Sequence, residues 1–222
     1  MKNTLRIGAF ALFVGLSAYM LVPAGANGDA KPKDLGSYAV ATFAGGCFWC
    51  VESGFEKVPG VVEVISGFTG GDEPNPTYKQ VSAGKTGYTE AVQVYYDPKA
   101  ISYEGLLESF WRIFDPTDGD GQFYDRGTQY RPGIFYTTEK QHALAEASKA
   151  NLAASGRFKK PIAVEIVKFK SFFPAEDYHQ DYYKVNPIRY HFYTDRSGRT
   201  DFVKNAWGKD LKLDYSKFKP RP

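Results

Sequence analysis

The sequence predicts an α+β fold: a two-layer α/β sandwich with a ferredoxin-like split β-α-β core, one added helix and strand, and an irregular aromatic-rich C-terminal segment. Three observations predict it. Stretches of period two and stretches of helical spacing follow one another as strand, helix, strand, strand, helix, strand, before a further helix and strand. Gly and Pro punctuate the joins. The 222 residues, less an N-terminal segment of different character, suffice for one domain with a substantial core.

That first segment is read as a secretory signal peptide, residues 1–26. Lys2 and Arg6 lead into an apolar run from Ile7 to Val22, closed by Ala24-Gly25-Ala26. The run falls short of the roughly 20 residues of a spanning helix. Cleavage after Ala26 is therefore expected over an uncleaved anchor, with an exported, periplasmic product that has no stable membrane association. Residues 27–36 are polar and aperiodic, a linker to a domain over 37–215, with 216–222 as a tail.

Within the domain, Ser37 to Ala44 reads as a strand stopped by Gly45-Gly46, and Cys47 to Lys57 as a helix. Pro59-Gly60 precedes a β-branched strand from Val61 to Ile65, and a loop rich in Gly, Pro and Asn spans Gly67 to Gly87. From Tyr88 to Tyr96, Glu90 shares one strand face with Val92, Val94 and Tyr96, so a core-facing aliphatic face turns Glu90 inward. Leu106, Phe110, Ile113 and Phe114 mark a helix over Ser102–Phe114, ended by Asp115-Pro116. Tyr130 to Tyr136 is a strand. Thr138 with Gln141 is a capping-box signature for a helix reaching Ser155, with Gly156 placed to close it. Pro161 to Phe169 is the last strand. Beyond Phe172 only a short helix at Glu176–Tyr183 is legible.

Charge narrows the function classes. Loss of Lys2 and Arg6 lowers the formal net charge from +3 to +1, which argues against a nucleic-acid surface. The late lysines Lys209, Lys212, Lys217 and Lys219 alternate with Asp210 and Asp214 as a solvated face does. Aromatic residues reach 16%, which fits either a rigid core or an aromatic pocket for a small apolar group.

The only two cysteines stand three apart in Gly46-Cys47-Phe48-Trp49-Cys50. A thiol at the first turn of a helix faces free N–H groups and the positive dipole end, which favour the thiolate, so Cys47 is the better nucleophile and Cys50 lies within disulfide reach. A structural disulfide closing so short a loop constrains the unfolded chain little. A zinc site lacks partners, since His142, His179 and His191 are scattered, and a papain-like pattern is absent. A general thiol–disulfide oxidoreductase is the serious rival. Against it, Phe48 and Trp49 look like walls for something small and apolar, although core packing explains them equally well.

Five ordered motifs, GGCFWCVE, NPTYKQV, TGYTEAV, DRGTQYR and EDYHQDYY, together resemble the A-type peptide methionine sulfoxide reductases over Ala41 to Tyr183. The resemblance implies reduction of methionine-S-sulfoxide in proteins, with the free amino acid as a further substrate. It assigns the nucleophile to Cys47, which becomes a sulfenic acid, the methyl-group wall to Phe48 and Trp49, and the acid to Glu90. Tyr78 and Tyr130 match phenols on the sulfoxide oxygen, and Asp125 a carboxylate near the substrate backbone or an ordered water. Residues 184–222 hold no cysteine, so Cys50, which stands where many relatives carry Gly, is implied as the resolving thiol. The resulting disulfide needs an external thioredoxin-like dithiol. No cofactor or metal is implied, and the expected enzyme is a monomer acting on oxidised proteins or peptides. Tyr88-Thr89 stands where many relatives carry His-Ala, which leaves the surroundings of Glu90 open.

Overall fold

The computed structural model describes residues 34–220. The segment read as a signal peptide, residues 1–26, lies outside them, as do residues 27–33 of the expected linker. Among the described residues no helix is long and apolar enough to cross a membrane.

The core follows the chain as β1 (Ala39–Ala44), α1 (Phe48–Phe55), β2 (Val61–Thr69), α2 (Tyr78–Ser82), β3 (Thr89–Tyr96) and α3 (Tyr103–Phe110). A small hairpin of β4 (Gly121–Gln122) and β5 (Asp125–Arg126) then precedes β6 (Gly133–Tyr136). The added helix and strand are α4 (Glu139–Ala154) and β7 (Glu165–Lys168). They are followed by β8 (Phe172–Pro174), α5 (Tyr182–Val185), α6 (Pro187–Ser197) and α7 (Arg199–Trp207).

The six-stranded sheet runs β7-β6-β1-β3-β2-β8. Its four central strands are antiparallel in the order of the split β-α-β arrangement, and β7 joins β6 in parallel, because α4 carries the chain back to the starting end. Register fixes which side chains meet the helices. Phe43 lies opposite Val92 and Ala41 opposite Val94, while Glu90 lies opposite Phe68. Phe43 stacks on Phe55 of α1 at 4.9 Å between ring centroids and meets Phe110 of α3 at 4.9 Å, so this is the helix-covered face. Glu90 belongs to it by the period of two, as the alternation in the sequence indicated. The opposite face is covered by Ala44, Ala91 and Phe135 with Phe169 and Phe172 from the far edges.

Several bounds differ from the sequence expectation. β2 runs on to Thr69, through Gly67, because β8 pairs with it across Gly67, Phe68 and Thr69. The stretch read as loop contains α2, opened by a complete capping box between Thr77 and Gln80. The predicted strand at 130–136 starts only at Gly133, since Thr128–Tyr130 forms a 3-10 turn. The helix expected at 176–183 is a 3-10 turn over Asp177–His179 followed by the short α5.

The larger correction concerns the C-terminal segment expected to be irregular. Residues 187–207 form α6 and α7, broken by Gly198 at φ +78°. Their polar, aromatic sequence hides the period because the helices pack over the active end of the sheet and present no single aliphatic stripe. Val203 and Trp207 of α7 reach the core, and Trp207 is covered by Arg112 and Arg157 at 3.9 and 4.3 Å. Packing continues to Phe218, whose carbonyl accepts the Ser102 N–H at 2.7 Å.

Candidate active site

The β1–α1 junction builds the site. Gly46 turns the chain at φ +84°, and a Cβ there would stand 2.6 Å from Gln122 and 2.9 Å from Arg199 Nη2. Only a residue without a side chain fits this conformation and approach. Cys47 is the N-cap of α1, and Cys50 lies one turn on. Both thiols are free and buried, at 6% and 4% exposure.

Glu90 reaches the same turn from β3. Its Oε2 accepts the Phe48 N–H at 3.0 Å, and the residue is 2% exposed. Burial raises its pKa to about 8 against the lowering effect of that hydrogen bond, with the Asp125 carboxyl adding to the rise. Glu90 is therefore a neutral acid at pH 7. Neither Tyr88 nor Thr89 bonds to its carboxyl: the Tyr88 hydroxyl donates to Glu73 O at 2.6 Å, and the Thr89 hydroxyl donates to backbone carbonyls, Arg131 O at 3.0 Å among them.

The two thiols lie in contact and influence each other. Burial pushes the Cys47 thiol well above its ordinary value, and contact with Cys50 adds to this. The hydrogen bond from Cys47 brings Cys50 down to about 7 despite its own burial, with the Arg199 guanidinium assisting. The pair ionises as a unit, its first negative charge resting on Cys50. Cys47 gains little from the helix end: its side chain makes no capping bond, and the first N–H of α1 is given to Glu90.

Aromatic rings wall the turn. Phe48 packs against Phe68 at 5.9 Å, Tyr78 at 6.1 Å and His179 at 5.1 Å. Trp49 stacks on Tyr182 at 3.7 Å and donates its indole N–H to His179 Nδ1 at 3.2 Å. Tyr78 sits on His179 at 4.1 Å. Both Tyr78 and Tyr130 are raised, first by burial and next by Glu90, with Cys47 and Asp125 also bearing on each. They are thus protonated donors clustered on the same acid and thiol. Asp125, half-buried on β5, accepts a short hydrogen bond from Tyr193 of α6, and burial raises its pKa above its ordinary value. All eight residues singled out from the sequence come together here.

Four others were not singled out for a role. His179 orients Trp49, and burial lowers its basicity, so it accepts the indole proton as the neutral imidazole. Tyr182 stacks on the same indole, and Tyr193 holds Asp125. Arg199 is 6% exposed and donates to Gly45 O at 3.3 Å and Ile113 O at 2.9 Å. His179 and Tyr182 lie inside the EDYHQDYY motif, which was signal enough. Tyr193 and Arg199 lie in helices the sequence did not reveal.

One grouping of metal-type donors exists among the described residues: Glu52, Glu56 and Asp181. Lys184 Nζ lies 2.5 Å from Glu56 and 2.7 Å from Asp181, so an ammonium already supplies the positive charge.

Comparison with known proteins agrees with this geometry. Residues 39–211 match the family model described as peptide methionine sulfoxide reductase. The chain is 56% identical over 167 residues to the peptide methionine sulfoxide reductase MsrA of Listeria monocytogenes, covering 75% of this chain and 94% of that one. It is 53% identical over 186 residues to the MsrA/MsrB protein of Vibrio cholerae, covering 82% of this chain and about half (49%) of that longer protein. Among solved structures, reduced Mxr1 of Saccharomyces cerevisiae matches with a TM-score of 0.63 at 35% identity, covering 67% of this chain and 86% of Mxr1. Methionine sulfoxide reductase A of Corynebacterium diphtheriae matches with a TM-score of 0.60 at 35% identity, covering 67% and 75%. A thiol at a helix start, a neutral buried acid bonded to the next N–H and an aromatic wall thus occur in a chain that belongs to the A-type peptide methionine sulfoxide reductases.

Proposed function

We propose that the protein reduces methionine-S-sulfoxide in oxidised proteins and peptides, using Cys47 as nucleophile, Glu90 as acid and Cys50 as resolving thiol. The observation that carries this reading is the neutral Glu90 carboxyl bonded to the N–H of Phe48, the residue after Cys47. Phe48 and Trp49 receive the methyl group. Tyr78 and Tyr130, as protonated phenols, donate to the sulfoxide oxygen and favour the charge that develops there.

The step balances as follows. Cys47 sulfur attacks the sulfoxide sulfur and gives its proton to the Cys50 thiolate, while Glu90 protonates the departing oxygen. The S–O bond breaks, methionine leaves as the thioether, and Cys47 carries the oxygen as a sulfenic acid. Cys50 sulfur then displaces that oxygen as water, forming a Cys47–Cys50 disulfide. A thioredoxin-like dithiol reduces it. Asp125, held by Tyr193, orients the peptide backbone or a water. The enzyme acts outside the cytoplasm, in the periplasm, a reading supported by the Ile7–Val22 run and the Ala24-Gly25-Ala26 site.

Turnover of resolved methionine sulfoxide epimers with dithiothreitol tests this. Cys47→Ser is expected to abolish methionine release, and wild type to consume the S epimer alone. Consumption of only the R epimer refutes the reading.

A further inference from the structure

Cys50 faces away from the methyl-group wall. It lines a second cavity of about 210 Å³, bounded by α1, the end of α3 and α7, together with Lys57, Arg112, Tyr190, Arg199 and Lys204. The charge there is of one sign. Arg112 is paired with Glu108 at 2.8 Å, but no carboxylate lines the cavity, and Lys57 and Lys204 are exposed at its mouth.

The buried wall is incompletely bonded. Arg199 uses Nη1 for two backbone carbonyls, while its Nε and Nη2 are buried without a hydrogen-bond partner. A guanidinium taken out of water with two nitrogen positions unsatisfied is costly unless an anion arrives. The sulfur beside it is one of the two at which the disulfide can be reopened.

We propose that this cavity is a binding site for a small thiol bearing a carboxylate, which recycles the enzyme directly by attacking Cys50. Resting on the function proposed above, the inference adds a second reductant and a second entrance, so oxidised methionine and reductant approach the sulfur pair from different sides. The opening is of small-molecule size, and its thiol is recessed at 4% exposure, which suits a free thiol. The carboxylate sits between Lys57 and Lys204, and the thiolate advances past Arg199. It bonds to Cys50 sulfur, and Cys47 leaves as a thiolate that Glu90 can protonate. A second thiolate then attacks the mixed disulfide at the small-molecule sulfur and releases Cys50 as a thiolate. Two thiols are oxidised to one disulfide, and the protein disulfide regains both electrons.

The experiment starts from full-length enzyme oxidised with one equivalent of methionine-S-sulfoxide, with the Cys47–Cys50 disulfide verified by mass spectrometry. Its reduction is timed with 3-mercaptopropionate, neutral 2-mercaptoethanol and cationic cysteamine, each rate expressed per thiolate and corrected for thiol basicity. The anionic thiol is expected to lead the neutral one by about tenfold at low ionic strength, and to lose that lead in 0.5 M salt. Lys57→Glu with Lys204→Glu is expected to invert the order, making cysteamine fastest, an outcome that misfolding does not produce. Rates that follow basicity alone, in both proteins, overturn the inference, as does an order unchanged by the charge reversal. Failure of the disulfide to form at all refutes instead the function on which the inference rests.

Discussion

Replacing Glu90 with Gln keeps the shape of the side chain and an oxygen for the Phe48 N–H, and removes only the transferable proton. With its pKa near 8, Glu90 is about 90% protonated at pH 7, about half at pH 8 and about 10% at pH 9. A first turnover that needs the neutral acid therefore falls about tenfold between pH 7 and pH 9. Thiol ionisation acts in the opposite direction, since Cys50 near 7 raises the rate on the acid side. The wild-type profile is expected to be bell-shaped, falling on the alkaline limb because of Glu90. Glu90→Gln loses that limb together with roughly 10²-fold or more of the rate, the usual span for a general acid. Rapid-quench measurement of methionine released in a single turnover, from pH 5.5 to 9.5, reads both quantities. A variant within about threefold of wild type, or one keeping the break near pH 8, refutes the assignment of the proton to Glu90.

Three further predictions concern the support of the site. His179→Ala removes the acceptor of the Trp49 indole N–H and a ring face of Tyr78, so KM for a sulfoxide peptide is expected to rise more than kcat falls, measured by steady-state kinetics with dithiothreitol. Gly46→Ala forces a side chain into a positive-φ turn 2.6 Å from Gln122, and a chemical melt is expected to show a loss on the order of 1–3 kcal/mol. Glu52 is wholly buried, and burial raises its pKa to about 8. Its folded value lies above its unfolded one, so its stabilisation is present in full below about pH 4.5 and is lost as pH rises through 8. Glu52→Gln should flatten that decline in urea melts by an amount on the order of a few kcal/mol between pH 5 and pH 8.5, and an unchanged slope would contradict the burial argument.

What the sequence revealed, and what it did not, follows from where each signal resides. The strand holding Glu90 was legible because one face buries Val92, Val94 and Tyr96 in strict alternation, and the same alternation fixed the direction of the acid. The long helix α4 was legible from Thr138 and Gln141, whose backbone N–H does reach the Thr138 hydroxyl at 3.1 Å. β8 was missed because three residues at a sheet edge carry too little pattern, and their strand identity comes from pairing with distant β2. α6 and α7 were missed for a related reason: their buried members are Thr194, Ser197, Arg199, Val203 and Trp207, a mixture no hydrophobic period detects. The helix end favours Cys47 locally, whereas burial and the adjoining Cys50 raise the Cys47 pKa, and the Cys47 hydrogen bond with help from Arg199 lowers that of Cys50; these effects act through space and leave no local signal in the sequence.

The clasp from Arg199 to the carbonyls of Gly45 and Ile113 joins positions 154 and 86 residues apart in the chain. Such separations place this contact among the slowest to close during folding. A nascent chain that has released β1 through β7 already owns both sulfurs, yet its sulfur pair lacks a lid and a counter-charge until α6 and α7 arrive. Chemical competence is thereby tied to the emergence of those two helices, and a chain without them holds its cysteines without the surroundings that turn them into a catalyst.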